Sequence, residues 1–154
     1  MTSHIDQLTA SIGSEYGVSG WFMIEQRKVD IFGQVTDDDD PMHSDVEWAR
    51  TGPFGVPVAH GMYILSLLPR FARELGFPIA SSGSEMAINY GFDRVRWINP
   101  VPVGSSVRCR TTIKKVEPKG ATRWLVHSKN AIECNAHEGP CVVADWLCLY
   151  EYAP

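Results

Sequence analysis

Residues 57–75 read PVAHGMYILSLLPRFAREL, and this stretch decides the architecture. Met62, Tyr63, Ile64, Leu65, Leu67 and Leu68 fall around most of a helix circumference instead of along one stripe. A helix that is apolar nearly all round needs other structure to cover it, so an enclosed helix is predicted over Pro57 to Leu75. Arg70 and Arg73 near its end, then Gly76 and Pro78, mark where it stops. Pro69 has no amide to offer the carbonyl of Leu65, which predicts a kink inside the helix.

Downstream the apolar period shortens to two. Met86 to Trp97 reads as a strand with a bulge at Gly91. Val107, Cys109, Thr111 and Ile113 alternate with Arg108, Arg110, Thr112 and Lys114, the pattern of a half-buried strand. Glu117-Pro118-Lys119-Gly120 is a hairpin turn, and strands over 122–133 and 141–152 complete the chain. Upstream the elements are shorter. Thr2 or Ser3 caps a helix through Ile5, Leu8 and Ile12, and Trp21 to Ile24 is a first strand. Val29 to Val35 is a short helical turn, Thr36 to His43 an acidic loop, and Asp45 to Ala49 another turn. One enclosed helix followed by an antiparallel meander is an α+β class, with a curved antiparallel sheet wrapped around a long central helix. The 154 residues are read as a single domain, 1–154.

Composition narrows the functional classes. Apolar residues at 44% and charged residues at 21% fit a globular domain and exclude a disordered or fibrous chain. No stretch reaches the ~20 apolar residues that span a bilayer, and the first fifteen residues have neither a cationic start nor an apolar core. A cytoplasmic protein with no membrane partner is expected. Cys109, Cys134, Cys141 and Cys148 form no Cys-x-x-Cys pair and lie in apolar alternating stretches, so they read as buried thiols and not as a metal site. Residues 1–93 hold 5 basic and 13 acidic side chains, whereas residues 94–129 hold 9 basic and one acidic. Such a basic block either focuses an anionic ligand or forms the solvated face of strands. Without interleaved aromatics or a phosphate loop, it does not argue for nucleic acid.

The polar residues capable of chemistry precede the enclosed helix. Thr36-Asp37-Asp38-Asp39-Asp40-Pro41-Met42-His43 places carboxylates and an imidazole close together, and Ala59-His60-Gly61-Met62 follows seventeen residues after His43. The first amides of a helix have no partner within it, and a glycine there lets a ligand oxygen approach the backbone. Carboxylate, imidazole and free amide together suit proton transfer and oxyanion binding at a carbonyl compound. His60 reads as a structural residue of the helix start.

These two segments resemble the hydratase motif of the MaoC-like dehydratase family, which includes R-specific enoyl-CoA hydratases. The family loop reads Thr/Ser-Gly-Asp-x-Asn-Pro-(apolar)-His, and Phe54-Gly55-Val56-Pro57-Val58-Ala59-His60-Gly61-Met62 is similar to its second segment. Asn89 to Trp97 with Pro100 to Gly104 also looks like the strand and turn that follow the helix in such proteins. The resemblance implies a hot-dog fold and reversible addition of water to a trans-2-enoyl thioester, giving the (R)-3-hydroxyacyl product. It implies Asp38 and His43, five positions apart, as the catalytic pair, with Gly61 as the glycine whose N–H polarises the thioester carbonyl. It implies no metal or redox cofactor, since coenzyme A or a carrier's phosphopantetheine is part of the substrate. Arg94 and Arg96, in the family-like segment, are the expected contacts for the CoA phosphates. A homodimer is expected, because hot-dog relatives pair to cover a sheet edge. A thioesterase and a non-catalytic acyl-CoA-binding subunit are the alternatives. Two positions depart from the motif: Asp37 stands at its glycine and Asp40 at its asparagine.

Overall fold

The computed structural model describes residues 4–77 and 85–152. The element order is α1 (His4–Ala10), β1 (Glu15–Val18), β2 (Phe22–Met23), α2 (Gln26–Thr36), α3 (Pro41–Ser44), α4 (Val46–Thr51), α5 (Gly61–Ser66), α6 (Leu68–Glu74), β3 (Glu85–Trp97), β4 (Ser106–Pro118), β5 (Arg123–Cys134) and β6 (Pro140–Tyr152). The six strands form one sheet in the order β1–β4–β5–β6–β3, with β2 also on β4. Each of the named pairings is antiparallel. The α+β reading therefore holds. The expected Thr2/Ser3 cap and the segment 78–84 lie outside the described residues.

The helical pair α5–α6 presents Ile64, Leu68 and Phe71, each 2% exposed or less, to the sheet face that carries Val107, Cys109, Ile113, Ile132 and Val142. Alternation along β4 produces that face: Val107, Cys109, Thr111 and Ile113 are buried, and Arg108, Arg110 and Thr112 between them are half-buried. The bulge foreseen at Gly91 is present, with the register slipping between Asn89 and Gly91 and again between Phe92 and Arg94. Gly91 has φ +156, which glycine adopts without strain.

The structure corrects the helix boundaries. Residues 57–59 are extended and not helical, because Val103 N–H donates to Pro57 C=O (2.9 Å) and Ala59 N–H donates to Val101 C=O (2.8 Å). The helix starts at Gly61 and is interrupted at Leu67, two residues before the expected kink. Pro69 cannot donate to Leu65, so α5 ends there and a new helix begins with the proline in its first turn, where no donor is needed. Enclosure is also incomplete, since Met62 is 57% exposed. The first strand is shorter than expected, and β1 was not foreseen, its four residues having too little alternation to read. The turn over 29–35 is in fact the eleven-residue α2.

The basic block is largely neutralised on the strands. Glu133 receives Arg108 Nε at 2.7 Å and Arg110 Nε at 3.1 Å, Glu151 receives Arg123 at 3.1 Å, and Glu117 receives Lys115 at 3.0 Å. For these side chains the solvated-face reading of the block holds. All four cysteines are free and buried. Burial pushes the thiols of Cys109, Cys141 and Cys148 up to about 12, so they stay protonated at neutral pH. Native protein at pH 7.5 should leave a disulfide-exchange reagent unreacted, and denaturant should release all four thiols at once. A thiol that reacts before unfolding would show a less closed sheet face.

Candidate active site

The site is built where α3 meets the extended approach to α5. Asp40 begins α3 as its N-cap: Met42 N–H donates to the Asp40 carboxylate at 3.0 Å, and Pro41 takes the next position. The motif's asparagine and this aspartate therefore share one local task. Asp37 closes α2 in the left-handed conformation (φ 54, ψ 31). That geometry explains why the motif places glycine there, and aspartate is among the few residues that tolerate it. The four aspartates are exposed and do not form a buried, mutually crowded cluster.

His43 is 6% exposed and its orientation is fixed. Its Nδ1 lies 2.7 Å from the Val58 carbonyl, which can only accept, so Nδ1 carries the hydrogen. In the neutral ring, Nε2 is therefore the free base. Val58 N–H donates back to Met42 C=O at 3.1 Å, and Gln26 Nε2 donates to His43 C=O at 2.8 Å. The imidazole is thus held from the helix α2 and from the approach to α5 together.

His60 stacks on His43 with ring centroids 3.7 Å apart, and its Nε2 donates to the Asp38 backbone carbonyl at 3.0 Å. Phe32 lies against His60 on one side and Tyr63 on the other. Burial, reinforced by the charge of Glu25, raises the Tyr63 phenol, so Tyr63 stays protonated at neutral pH. A ligand atom from each of Asp38, His43 and His60 lies within 4.8 Å of the others, so these three could also hold a metal ion.

A cavity of about 270 Å³ brings His43 and Gly61 to one space. Met42, Phe54, Ile64, Trp97, Ile98 and Val142 make most of its wall apolar. A Cβ at Gly61 would fall 2.7 Å from Trp97 Cδ1, so glycine is required there by the indole and not by a left-handed backbone. Asp38 lines a separate polar cavity of about 360 Å³, which His43 also lines. Arg94 and Arg96 line neither. They are exposed on β3, alternating with Val95 and Trp97, and Arg96 Nη1 donates to the Val95 carbonyl. In the sequence Trp97 reads as the end of the family-like strand, and Gly33 and Gln26 are not singled out. Gly33 is the legible one: a glycine inside a helical pattern, where a Cβ would fall 2.7 Å from the Asp38 carbonyl.

The profile of the MaoC-like domain family matches residues 7–134. The chain belongs to the MaoC-like dehydratase family. A 3-hydroxyacyl-thioester dehydratase Z of Mycobacterium tuberculosis is 36% identical over 146 residues, covering 95% of both chains. Nodulation protein N of Rhizobium leguminosarum bv. viciae is 33% identical over 144 residues, covering 93% of this chain and 88% of the relative. Among solved structures, the MaoC-like dehydratase of Rhodospirillum rubrum superposes with a TM-score of 0.74 at 22% identity, covering 93% of this chain and 94% of that one. The (R)-hydratase of A. caviae involved in PHA biosynthesis gives 0.70 at 20% identity, covering 93% and 96%. The architecture is thus the hot-dog fold.

If Asp40 serves the cap, Asp40→Asn should leave stability within a few tenths of a kcal/mol, while Asp40→Ala should cost about 1 kcal/mol. Urea denaturation of the two variants measures this. Equal losses would show that charge, not capping, matters at this position.

Proposed function

We propose that this chain is an (R)-specific enoyl-thioester hydratase, a hydro-lyase that adds water reversibly to trans-2-enoyl-CoA to give (R)-3-hydroxyacyl-CoA. The observation that carries the reading is His43: a buried imidazole whose Nδ1–H is held by the Val58 carbonyl, leaving Nε2 as base in the wall of an apolar cavity that also contains Gly61. The acyl chain occupies that cavity. The Gly61 N–H, among the first-turn amides of α5 that have no partner within the helix, polarises the thioester oxygen. His43 Nε2 takes a proton from water as the water oxygen bonds to the β-carbon. Asp38 holds that water and takes part in returning a proton to the α-carbon, so the sum is one water added. The scheme uses no metal or redox cofactor, and CoA or a carrier's phosphopantetheine enters as part of the substrate. The relatives named as a dehydratase and an (R)-hydratase support the same chemistry.

Crotonyl-CoA is the test. Loss of the enoyl absorbance without free thiol is the expected result, free thiol would indicate a thioesterase, and neither would indicate a binding subunit. His43→Ala and Asp38→Asn should each lower kcat by about 10²–10⁴-fold, with a double variant losing far less than the product. Near-normal turnover in either folded single variant would remove the mechanism.

The same reading includes a homodimer. β3 is an edge strand, and its Ile88, Tyr90 and Phe92 are 37%, 64% and 36% exposed, with Phe92 sharing a cavity wall with Met62 of α5. An apolar edge of this length is the kind that proteins cover by pairing. Sedimentation should give twice the 17.2 kDa chain mass, and Tyr90→Lys should shift the protein toward monomer. A monomeric wild type at micromolar concentration would contradict the pairing.

A further inference from the structure

The apolar cavity and the polar cavity share one lining residue, His43. The polar cavity is walled at its inner end by the buried His43, His60, Val29 and Gly33, while Gln34, Asp39 and Ser44 at its rim are exposed. At about 360 Å³ it has room for on the order of ten waters at about 30 Å³ each. His60 is 3% exposed and its Nδ1 has no hydrogen-bond partner. With Nε2–H committed to the Asp38 carbonyl, that Nδ1 is an acceptor in the neutral ring. A buried acceptor without a donor is costly, and this one belongs to a ring that forms the inner wall of the polar space. The carboxylates of Asp30, Asp38 and Asp39 make the space hostile to the phosphates of CoA.

Resting on the hydratase reading, we propose that this polar cavity is the water port of the reaction: it supplies the water that His43 activates, and receives the water expelled in the reverse direction. The need for such a port follows from the other cavity. Once an enoyl chain fills the apolar space, that side has no room left for water. The second substrate must then reach Nε2 from elsewhere, and His43 is the group both spaces touch. The port thus separates the routes by which the two substrates arrive, thioester through the apolar cavity and water through the polar one, and both routes end at His43.

Filling the port tests this. Gln34→Phe from α2 and Ser44→Leu from α3 place apolar bulk at the rim from two walls. Each should lower kcat for crotonyl-CoA hydration at least tenfold, with KM and the inhibition constant of saturated butyryl-CoA unchanged within twofold. Gln34→Ala, which removes the amide without filling space, should lose much less than Gln34→Phe. Val35→Phe, an aromatic on the 78%-exposed neighbouring position, should match wild type. An unchanged kcat in both filling variants and in their combination would overturn the port. So would a parallel rise in the butyryl-CoA constant, which would make the cavity part of the thioester site, and so would equal losses in the Ala and Phe variants. Wild-type turnover, measured first, tests the hydratase reading by itself, and its absence would remove both.

Discussion

The bond from His43 Nδ1 to the Val58 carbonyl is the constraint on which the site depends. It joins a four-residue helix to the extended approach of the central helix, two segments fifteen residues apart in the chain. It excludes water from the pair, fixes the ring against rotation, and decides which nitrogen can act as base. Its partner bond from Val58 N–H to Met42 C=O ties the two backbones together, which keeps the Val58 carbonyl in place as the acceptor for the imidazole. Gly33, Phe32 and His60 support it from behind, and Trp97 bounds the space in front.

That arrangement also accounts for the interrupted helix. A continuous helix from Pro57 would draw the Val58 carbonyl into its own ladder, with Met62 N–H as donor, and turn it away from His43. Pairing of residues 57–59 with 101–103 keeps those groups available, and the helix begins only after they have been used. At the other end, Pro69 restarts the helix, so that Phe71 and Leu68 reach the sheet at 0% and 2% exposure.

The parts of the fold that could be read in the sequence were those fixed by local chemistry. The alternation along β4, the Gly91 bulge and the Asp38–His43 interval each depend on a few neighbouring residues. The helix start was misplaced because Val58 and Ala59 look as helical as their neighbours, and only their tertiary partners make them extended. Asp37 and Asp40 seemed anomalous as letters, yet they fit as conformations, one tolerating a left-handed backbone and one capping a helix. Arg94 and Arg96 were chosen by segment and residue type. Strand alternation sets them apart from both cavities, a consequence of register that the two one-residue slips in β3 hide from simple counting.

The pairing of β3 with β6 carries a consequence for how the chain is made. Glu85 meets Tyr152 and Trp97 meets Val142, so the edge of the sheet is completed by the last described strand. β6 must therefore leave the ribosome before β3 finds its neighbour and before the floor beneath α5 exists. Until then Ile88, Tyr90 and Phe92 have no sheet to join, and an emerging chain is open to association with others at the same stage. Assembly of the site in this sense lags its own synthesis: the imidazole, the glycine and the loop are all translated before β3, yet they wait for β6 to be enclosed.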